Sequence, residues 1–296
     1  MATQHDSGDS PMPAELPFLN SNIDKLDKSP IAYIRKYHSR RFTLFITLDI
    51  VLTIGLVFLS LATSSSTSRS SPILAAFFMP SLFILGPLMI SVQREMDKRF
   101  AISFADIMGY VYAPTAPLAT FTGMLFKLWT DQCIMNVMLG TCHGHAIRLF
   151  DYSFRRPQGK SSVECSYTVL EVQFEKDLPT IETIHRQANL LEPSNFSMAS
   201  NDLYHNQTLL KTEGNFNDYF SVFVPRGTEI EGLEVVTPDL MAAMLDRYRN
   251  FDFECNGHNL YIFMAGEIRL RTKKDFLQIY SLADALIPKL HEMISA

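Results

Sequence analysis

Two long apolar blocks near the N-terminus constrain this chain more than any other feature. The first runs from 42 to 63 and the second from 72 to 92. Each is close to the ~20 residues that a helix needs to cross roughly 30 Å of hydrocarbon. A buried helix of a soluble protein is rarely this long without a polar face, because one side usually meets water. We therefore expect two transmembrane helices rather than two core helices.

The charges around these blocks predict their orientation. The short connection at 64–71 carries one basic residue, Arg69. Seven basic residues flank the opposite ends of the two spans: Arg35, Lys36, Arg40, Arg41, Arg94, Lys98 and Arg99. Lys and Arg in short flanks favour the cytoplasmic side of the membrane. We expect an inner-membrane hairpin with both termini and the segment 93–296 in the cytoplasm, and with these seven side chains near lipid headgroups.

The residues before the first span divide into two segments. Segment 1–21 is polar and contains prolines, so it is expected to be a disordered tail, with no apolar run that would make a cleavable signal peptide. Segment 22–41 mixes Ile and Tyr with the basic cluster. This juxtamembrane segment either lies along the membrane surface or serves only as the orientation signal.

One ionisable residue, Asp49, lies within the first span. Such a group is a candidate functional site because a charge in hydrocarbon is costly. Pro87 in the second span frees the carbonyl of Phe83, to which a protonated Asp49 could donate. We expect Asp49 to join the two helices, with a proton or ion relay as the alternative.

Charge and cysteine content limit which ligands and which redox environment suit the rest of the chain. Before Phe100 there are ten basic and eight acidic residues, whereas from Phe100 onward there are 16 basic and 23 acidic residues. An acidic domain is a poor electrostatic partner for nucleic acid, so we expect no nucleic-acid binding. The four cysteines form no CxxC pair, and we expect reduced, mostly buried thiols.

The segment 93–296 reads as an α+β domain with a mainly antiparallel sheet and helices packed on it, because strands and helices do not alternate as βαβ units. Strands are predicted at 144–154, 163–175, 178–184 and 218–225, the first two joined by a long loop. A weak helical signal lies at 203–210. A tight hairpin is predicted at Asn256-Gly257.

Helical patterns account for most of the remaining domain. The stretch 100–113 reads as a helix or as a helix followed by a strand, and a short helix is expected at 124–131. Thr237 and Pro238 predict a helix over 238–249 as N-cap and first-turn residues. A last helix at 274–293 is expected to be interrupted or kinked near Pro288.

Several short motifs carry a resemblance. They are the apolar hairpin itself, F-A-x-x-x-G-Y-x-Y at 104–112, G-x-x-I-x-L-F-D-Y at 144–152, V-P-R-G at 224–227 and T-P-D at 237–239. Together they resemble a group of uncharacterised bacterial membrane proteins with two N-terminal transmembrane helices and a cytosolic α+β domain of unknown function. The resemblance implies an architecture and a bacterial inner membrane, and it implies no activity, cofactor or catalytic residue.

The nearest approach to a chemical signature is TCHGH, which holds Cys142, His143 and His145. Thiolate and imidazole are transition-metal ligands, but a structural zinc site needs about four of them. In an extended segment the two histidines would share a face and the cysteine would point away. No second cluster lies nearby in sequence, so we expect no metal and no cofactor, and these three residues remain weak candidates.

The function expected from the sequence is a membrane-anchored interaction or scaffold domain rather than an enzyme. An edge or groove of the sheet would bind a protein partner or a second copy of the chain, and lipids would contact the anchor. One alternative is a membrane-bound, hydrolase-like enzyme whose active site is not identified. The other is a transport accessory protein that uses Asp49.

Overall fold

A computed structural model describes residues 47, 51, 94–95, 97–158, 161–185, 206–268, 271 and 273–295. The chain forms two compact units, one comprising Lys25–Ile102 and the other containing Ser103–Ala296. In the first unit, Arg94 and Lys98 are exposed on a helix, and Arg99 forms an ion pair with Glu95 at 2.7 Å.

The predicted membrane hairpin lies outside the described residues, apart from Thr47 and Val51. The same holds for Asp49 and for the basic residues Arg35, Lys36, Arg40 and Arg41. Within the ranges that the structure describes, no helix combines the length and the apolar character needed to cross a bilayer.

The second unit contains a nine-stranded sheet and, among its described residues, five α-helices and the last residues (103–108) of a sixth, which begins in the first unit. The strands are β1 (Val111–Thr115), β2 (Thr130–Cys142), β3 (His145–Gln158), β4 (Ser161–Gln173), β5 (Ile181–His185), β6 (Gln207–Leu209), β7 (Phe220–Pro225), β8 (Phe251–Asn256) and β9 (Asn259–Ala265). The helices are α1 (97–108), α2 (Leu125–Leu128), α3 (Phe216–Tyr219), α4 (Glu229–Val235), α5 (Pro238–Arg247) and α6 (Lys273–Ser295).

The strand order in the sheet is β1-β2-β3-β4-β9-β8-β5-β7-β6, and every neighbouring pair is antiparallel. This confirms the α+β class and the mainly antiparallel sheet. Because alternate side chains of a strand point to opposite faces, each strand of the middle of the sheet supplies two separate cores.

One core is aromatic and is covered by the segment that contains α2. Phe126 packs edge-on against Tyr152 at a centroid distance of 4.9 Å and against Tyr261 at 5.2 Å. Trp129 stacks on Phe154 at 5.4 Å. Such ring pairs add roughly 0.5–1.5 kcal/mol each beyond their area burial. A chain segment with almost no regular structure is thereby fixed on the sheet.

The helices supply the other core. Helix α6 contacts β9, and α4 contacts β7. Phe104 of α1 packs on Phe276 of α6 with centroids 4.5 Å apart. The large apolar residues of α6 that face inward are fully buried, including Ile279, Leu286 and Leu290. This layer fixes the position of α6, which one candidate site requires.

A row of polar side chains crosses the aromatic face. Cross-strand register aligns Arg148, Glu171, Tyr261, Glu254 and Glu182 on five neighbouring strands. Arg148 forms a two-pronged ion pair with Glu171, one bond of which measures 2.6 Å. The Glu254 side chain accepts a hydrogen bond at 2.5 Å from the main-chain N–H of Met124. Burial raises the pKa of the Glu254 carboxyl group to about 7.

Several predicted elements are confirmed. The stretch 100–113 is a helix followed by a strand, the second of the two alternatives. Helix α5 begins at Pro238, and the Thr237 hydroxyl accepts from the N–H of Leu240 at 3.4 Å. A hairpin follows Asn256, but its two turn residues are Gly257 and His258, since Asn256 still pairs with Asn259. Gly257 at φ 56° provides the positive φ that the turn needs.

Other elements differ from the prediction. β3 and β4 pair as far as Gln158 and Ser161, so the predicted long loop is wrong and Pro157 lies inside a strand. The helical signal at 203–210 is also wrong at its described end, where β6 forms by pairing with β7. The prediction missed β2, whose register shifts twice and whose residues Asp131 and Asn136 have positive φ. Bulges of this kind disrupt the period-two pattern. Helix α6 is continuous through Pro288, so the predicted interruption, one of the two alternatives there, is wrong.

Candidate functional site

The turn between β2 and β3 forms one wall of a cleft. Cys142 pairs with His145 across the hairpin, which leaves His143 and Gly144 as its two turn residues. Their φ angles are 50° and 81°. Positive φ at both positions matches a primed turn and suits the right-handed twist of the two strands. The expectation of an extended segment with both histidines on one face is therefore wrong, because His143 lies in the turn.

Helix α6 forms the opposite wall and carries two partners for these histidines. Nε2 of His143 lies 2.7 Å from Oδ1 of Asp284, and Nε2 of His145 lies 2.8 Å from Nε2 of His291. Residues seven apart lie on the same side of a helix, about two turns from each other. Asp284 and His291 therefore both face the hairpin, where each contacts one of the two histidines.

Cys142 completes a three-residue group at this end of the cleft. Its Sγ atom, a ring nitrogen of His143 and a carboxylate oxygen of Asp284 all lie within 4.8 Å of one another. Cys142 is 3% exposed, whereas His143 is exposed and Asp284 is half-buried. Burial raises the pKa of the Cys142 thiol to about 12, with a further contribution from the Asp284 charge. Burial also raises the pKa of Asp284, against the opposing effect of His143.

The second histidine pair is oriented by the main chain. Nδ1–H of His145 donates to the carbonyl of Gln173 at 2.8 Å, which leaves the lone pair of Nε2 directed at His291. The Phe174 ring packs on both imidazoles, with centroids 4.6 Å and 5.4 Å away. The cleft between the two walls has a volume of about 610 Å³. Its lining includes His143, His145, Glu175, Lys176 and His291.

Contacts beside and within the cleft connect its two walls. A Cβ atom at Gly140 would overlap the ring of Tyr110, so the glycine allows that ring to lie flat on β2. The Tyr110 hydroxyl is 3.0 Å from the Tyr280 hydroxyl, one helical turn before Asp284. At the far end of α6, Lys176 donates to the carbonyl of Ile294 at 2.7 Å. A cation at the C-terminal end of a helix stabilises it.

The structure thus brings His143, His145 and His291 to one cleft and places Cys142 and Asp284 beside His143. The sequence analysis did not select Asp284 or His291. Asp284 and His291 are more than 130 positions away along the chain. Their seven-residue spacing on a predicted helix was the available signal, but nothing in the sequence indicated which strand turn the helix would meet. Thiol, imidazole and carboxylate groups together form a donor set that suits borderline transition metals.

A different surface lies at the β6 end of the sheet. Ile230 of α4 is 74% exposed and Leu233 is 44% exposed, and the two share one side of the helix. Leu209 on the edge strand β6 is also 44% exposed. We call these three residues and α4 the β6–α4 edge. Gly232 seats α4 closely on the sheet, because a Cβ there would lie 2.6 Å from Leu210 and 2.6 Å from Val224.

The opposite end of the sheet also exposes apolar side chains. Val111 of β1 is 68% exposed and pairs with Leu139 of β2, which is 40% exposed. Pro114 lies within β1 and cannot donate to a neighbouring strand. This end therefore has an apolar surface with an interrupted edge.

Comparisons with known proteins leave the family of this chain open. No family model matches it, and no curated protein matches it either. Among solved structures, it is similar to the crystal structure of the mycobacterial trehalose monomycolate transport factor A, TtfA, with a TM-score of 0.44 and 12% identity. The match covers 65% of this chain and 95% of the other. A TM-score of this size does not establish a common fold.

Proposed function

We propose that this chain is a membrane-anchored cytosolic interaction domain that binds a protein partner at the β6–α4 edge. The anchor is the hairpin at 42–63 and 72–92, oriented by its basic flanks. The observation that carries the binding role is the exposure of Ile230 and Leu233 on a helix that is otherwise firmly seated. Exposed apolar groups held in a fixed arrangement are typical of interaction sites.

The seating of α4 makes this surface suitable for recognition. Val235 on the same helix is fully buried, and Gly232 brings the helix backbone against side chains beside β6 and β7. Ile230 and Leu233 are therefore presented on a rigid support. Binding of a partner to these side chains therefore loses little conformational entropy on this surface, because the surface is already ordered.

Charge defines the chemistry of the partner. Helix α4 carries three glutamates, Glu229, Glu231 and Glu234, and no lysine or arginine. The complementary surface is a segment with apolar side chains and with Lys or Arg beside them. Opposite charges at the rim accelerate association and select the partner, while the buried apolar groups supply most of the affinity.

Site-specific crosslinking in native membranes tests the binding role. A photoreactive amino acid replaces Leu233 in the full chain, and a second version carries it at Glu292, an exposed position of α6. We expect a discrete adduct from position 233 and none of the same product from position 292. The crosslinked partner peptide should contain basic and apolar residues.

A second substitution makes this test specific. Ile230→Lys, placed in the chain with the photoreactive residue at 233, should abolish the adduct, because the basic partner surface cannot neutralise the buried lysine charge. The proposal is overturned if no adduct forms, if Ile230→Lys leaves it intact, or if the adduct joins two copies of this chain.

The anchor is tested separately on the same full chain. Alkaline extraction should leave the protein in the membrane pellet, and a reporter fused after Ala296 should be active only in the cytoplasm. Release into the supernatant, or reporter activity outside the cytoplasm, would contradict the membrane hairpin and its orientation.

A further inference from the structure

We propose that Cys142, His143 and Asp284 bind one transition-metal ion, with Zn²⁺ as the ion of best fit. This inference is independent of the β6–α4 edge, which lies at the other end of the sheet. The site joins the β2–β3 turn to helix α6, and its open side faces the cleft that His143 lines.

The donor atoms already lie close to the positions that a zinc ion requires. Zinc bonds of about 2.0–2.3 Å in a tetrahedral arrangement place neighbouring ligand atoms roughly 3–4 Å apart. The nitrogen of His143 and the oxygen of Asp284 are 2.7 Å apart, and all three donors fall within 4.8 Å. Side-chain rotations that move the donor atoms by about 1 Å therefore suffice to form three bonds to one zinc ion.

The chemistry of the three donors narrows the choice of ion. A thiolate and an imidazole favour Zn²⁺ and similar transition metals over Mg²⁺ and Ca²⁺, which prefer oxygen ligands. Three protein ligands leave a fourth position, here on the side of the cleft. This count is typical of zinc sites that keep a water or another ligand in the open position.

The neighbouring histidine pair is an independent observation that this cleft is organised around imidazole nitrogens. His145 is fixed through its Nδ1–H by a main-chain carbonyl, which is the arrangement that commonly orients metal-binding histidines. It directs Nε2 toward His291 on the same side of α6 as Asp284. Both histidines line the cleft beside His143.

The inference departs from the expectation of no metal, and the reason is Asp284. The sequence offered two adjacent donors and a third in the next strand, all on one hairpin. The fold adds a carboxylate from α6, which converts a local cluster into a set of donors from two walls. A metal ion here would link the hairpin to the C-terminal helix.

Cobalt and zinc titrations of the full chain in detergent test the site. The protein is first stripped with a chelator and kept reduced. We expect one equivalent of Co²⁺ to give the near-ultraviolet absorption of a cobalt–thiolate bond, and one equivalent of Zn²⁺ to displace it. Zn²⁺ affinity is then measured by competition with a chromophoric chelator.

Matched variants separate this site from adventitious binding. Cys142→Ser should remove the cobalt–thiolate absorption, and His143→Ala and Asp284→Asn should each weaken Zn²⁺ binding at least tenfold. Cys133→Ser and His258→Ala are the controls: Cys133 is an exposed thiol, and His258 pairs with Asp177 at 3.5 Å. Both controls should bind like the parent chain.

The proposal fails if the parent chain binds no stoichiometric Zn²⁺ at micromolar concentration, or if binding and absorption survive Cys142→Ser and His143→Ala. Because Cys142 is buried, its variant is compared with the parent by thermal unfolding without metal. His143 is exposed, so its variant keeps the test decisive even where Cys142→Ser loses stability.

Discussion

The cleft at the β2–β3 turn and the β6–α4 edge present opposite surface chemistry on one sheet. The cleft is concave, and its thiol, imidazole and carboxylate groups converge on one another across two walls. At the edge, the side chains of Leu209, Ile230 and Leu233 are exposed to solvent. Convergent polar donors suit a small cation, whereas divergent apolar groups on a rigid helix suit another protein. This contrast underlies the two proposals, a protein partner at the edge and a metal ion beside the cleft.

Their separation makes the comparison testable. Six strand spacings of about 4.8 Å lie between β3 and β6, which places the two regions roughly 30 Å apart. Substitutions at such distances usually act independently. A change at one region should therefore leave the other intact, unless it acts through the shared sheet or through the contact between α4 and α6.

The largest expected effect is a loss of stability in the sheet that carries both regions. Arg148→Ala leaves Glu171, whose side chain is 1% exposed, as a buried charge without its guanidinium partner. We expect a loss of about 3–5 kcal/mol in the free energy of unfolding, measured with urea. The double variant Arg148→Met with Glu171→Leu should recover most of this loss. An Arg148→Ala chain as stable as the parent would show that the pair does not support the sheet.

A smaller effect depends on pH and should change stability while sparing both regions. The folded pKa of Glu254 is raised by burial to about 7, from an ordinary value of 4.5. Its contribution to stability is therefore complete below about pH 4 and is lost as the pH rises through about 7. Glu254→Gln keeps the acceptor oxygen for Met124 and cannot ionise.

We therefore expect Glu254→Gln to be more stable than the parent above pH 7, by roughly 1–3 kcal/mol, with no difference near pH 4. Urea unfolding across pH 4–8 measures this difference. Asp246→Asn, at an exposed position, is the control and should show no such trend. A difference in stability that does not change with pH would contradict the raised pKa of Glu254.

Gly232→Ala should separate the edge from the cleft. The added Cβ meets side-chain atoms of Leu210 and Val224 at 2.6 Å, so either these side chains or α4 must shift. Overpacking of about 1–3 kcal/mol, less the ~1 kcal/mol that alanine gains over glycine in a helix, leaves a net loss of about 1 kcal/mol. We expect a weaker adduct at position 233 and unchanged Zn²⁺ binding. Equal losses at both regions would break the comparison.

The smallest expected effect tests whether the partner surface is basic. Glu231→Lys reverses an exposed charge on α4 without changing its packing, so stability should stay within about 0.5 kcal/mol of the parent. We expect adduct formation at position 233 to fall several-fold at low salt and to approach the parent level at high salt, because exposed charges are screened. No dependence on salt would mean that the partner surface is not basic.

Sequence reasoning recovered the fold where local chemistry was decisive. Thr237 and Pro238 marked the start of α5, and the Asn256-Gly257 pair predicted the β8–β9 hairpin, whose turn lies one residue further along the chain. It failed for β2, because bulges near Asp131 and Asn136 break the alternation that identifies a strand. Pairing with two neighbours, which no local pattern reveals, decides that β2 is a strand.

The candidate sites show the same difference between local clusters, which the sequence reveals, and contacts between distant segments, which it does not. Cys142, His143 and His145 were visible as a local cluster, whereas Asp284 and His291 join them only through the packing of α6 on the sheet. The β6–α4 edge was less visible still. Its three apolar residues look like ordinary core positions in the sequence, and their exposure follows from the close seating of Gly232 against Leu210.

Hydrogen exchange on the full chain tests the central claim, that a partner covers the β6–α4 edge, most directly. Deuterium uptake is compared between the protein in its native membranes and the protein purified in detergent. The account predicts slower exchange across 229–236 in the native membranes, with exchange of the α5 peptide 238–247 unchanged. Equal exchange of 229–236 in both preparations would contradict it.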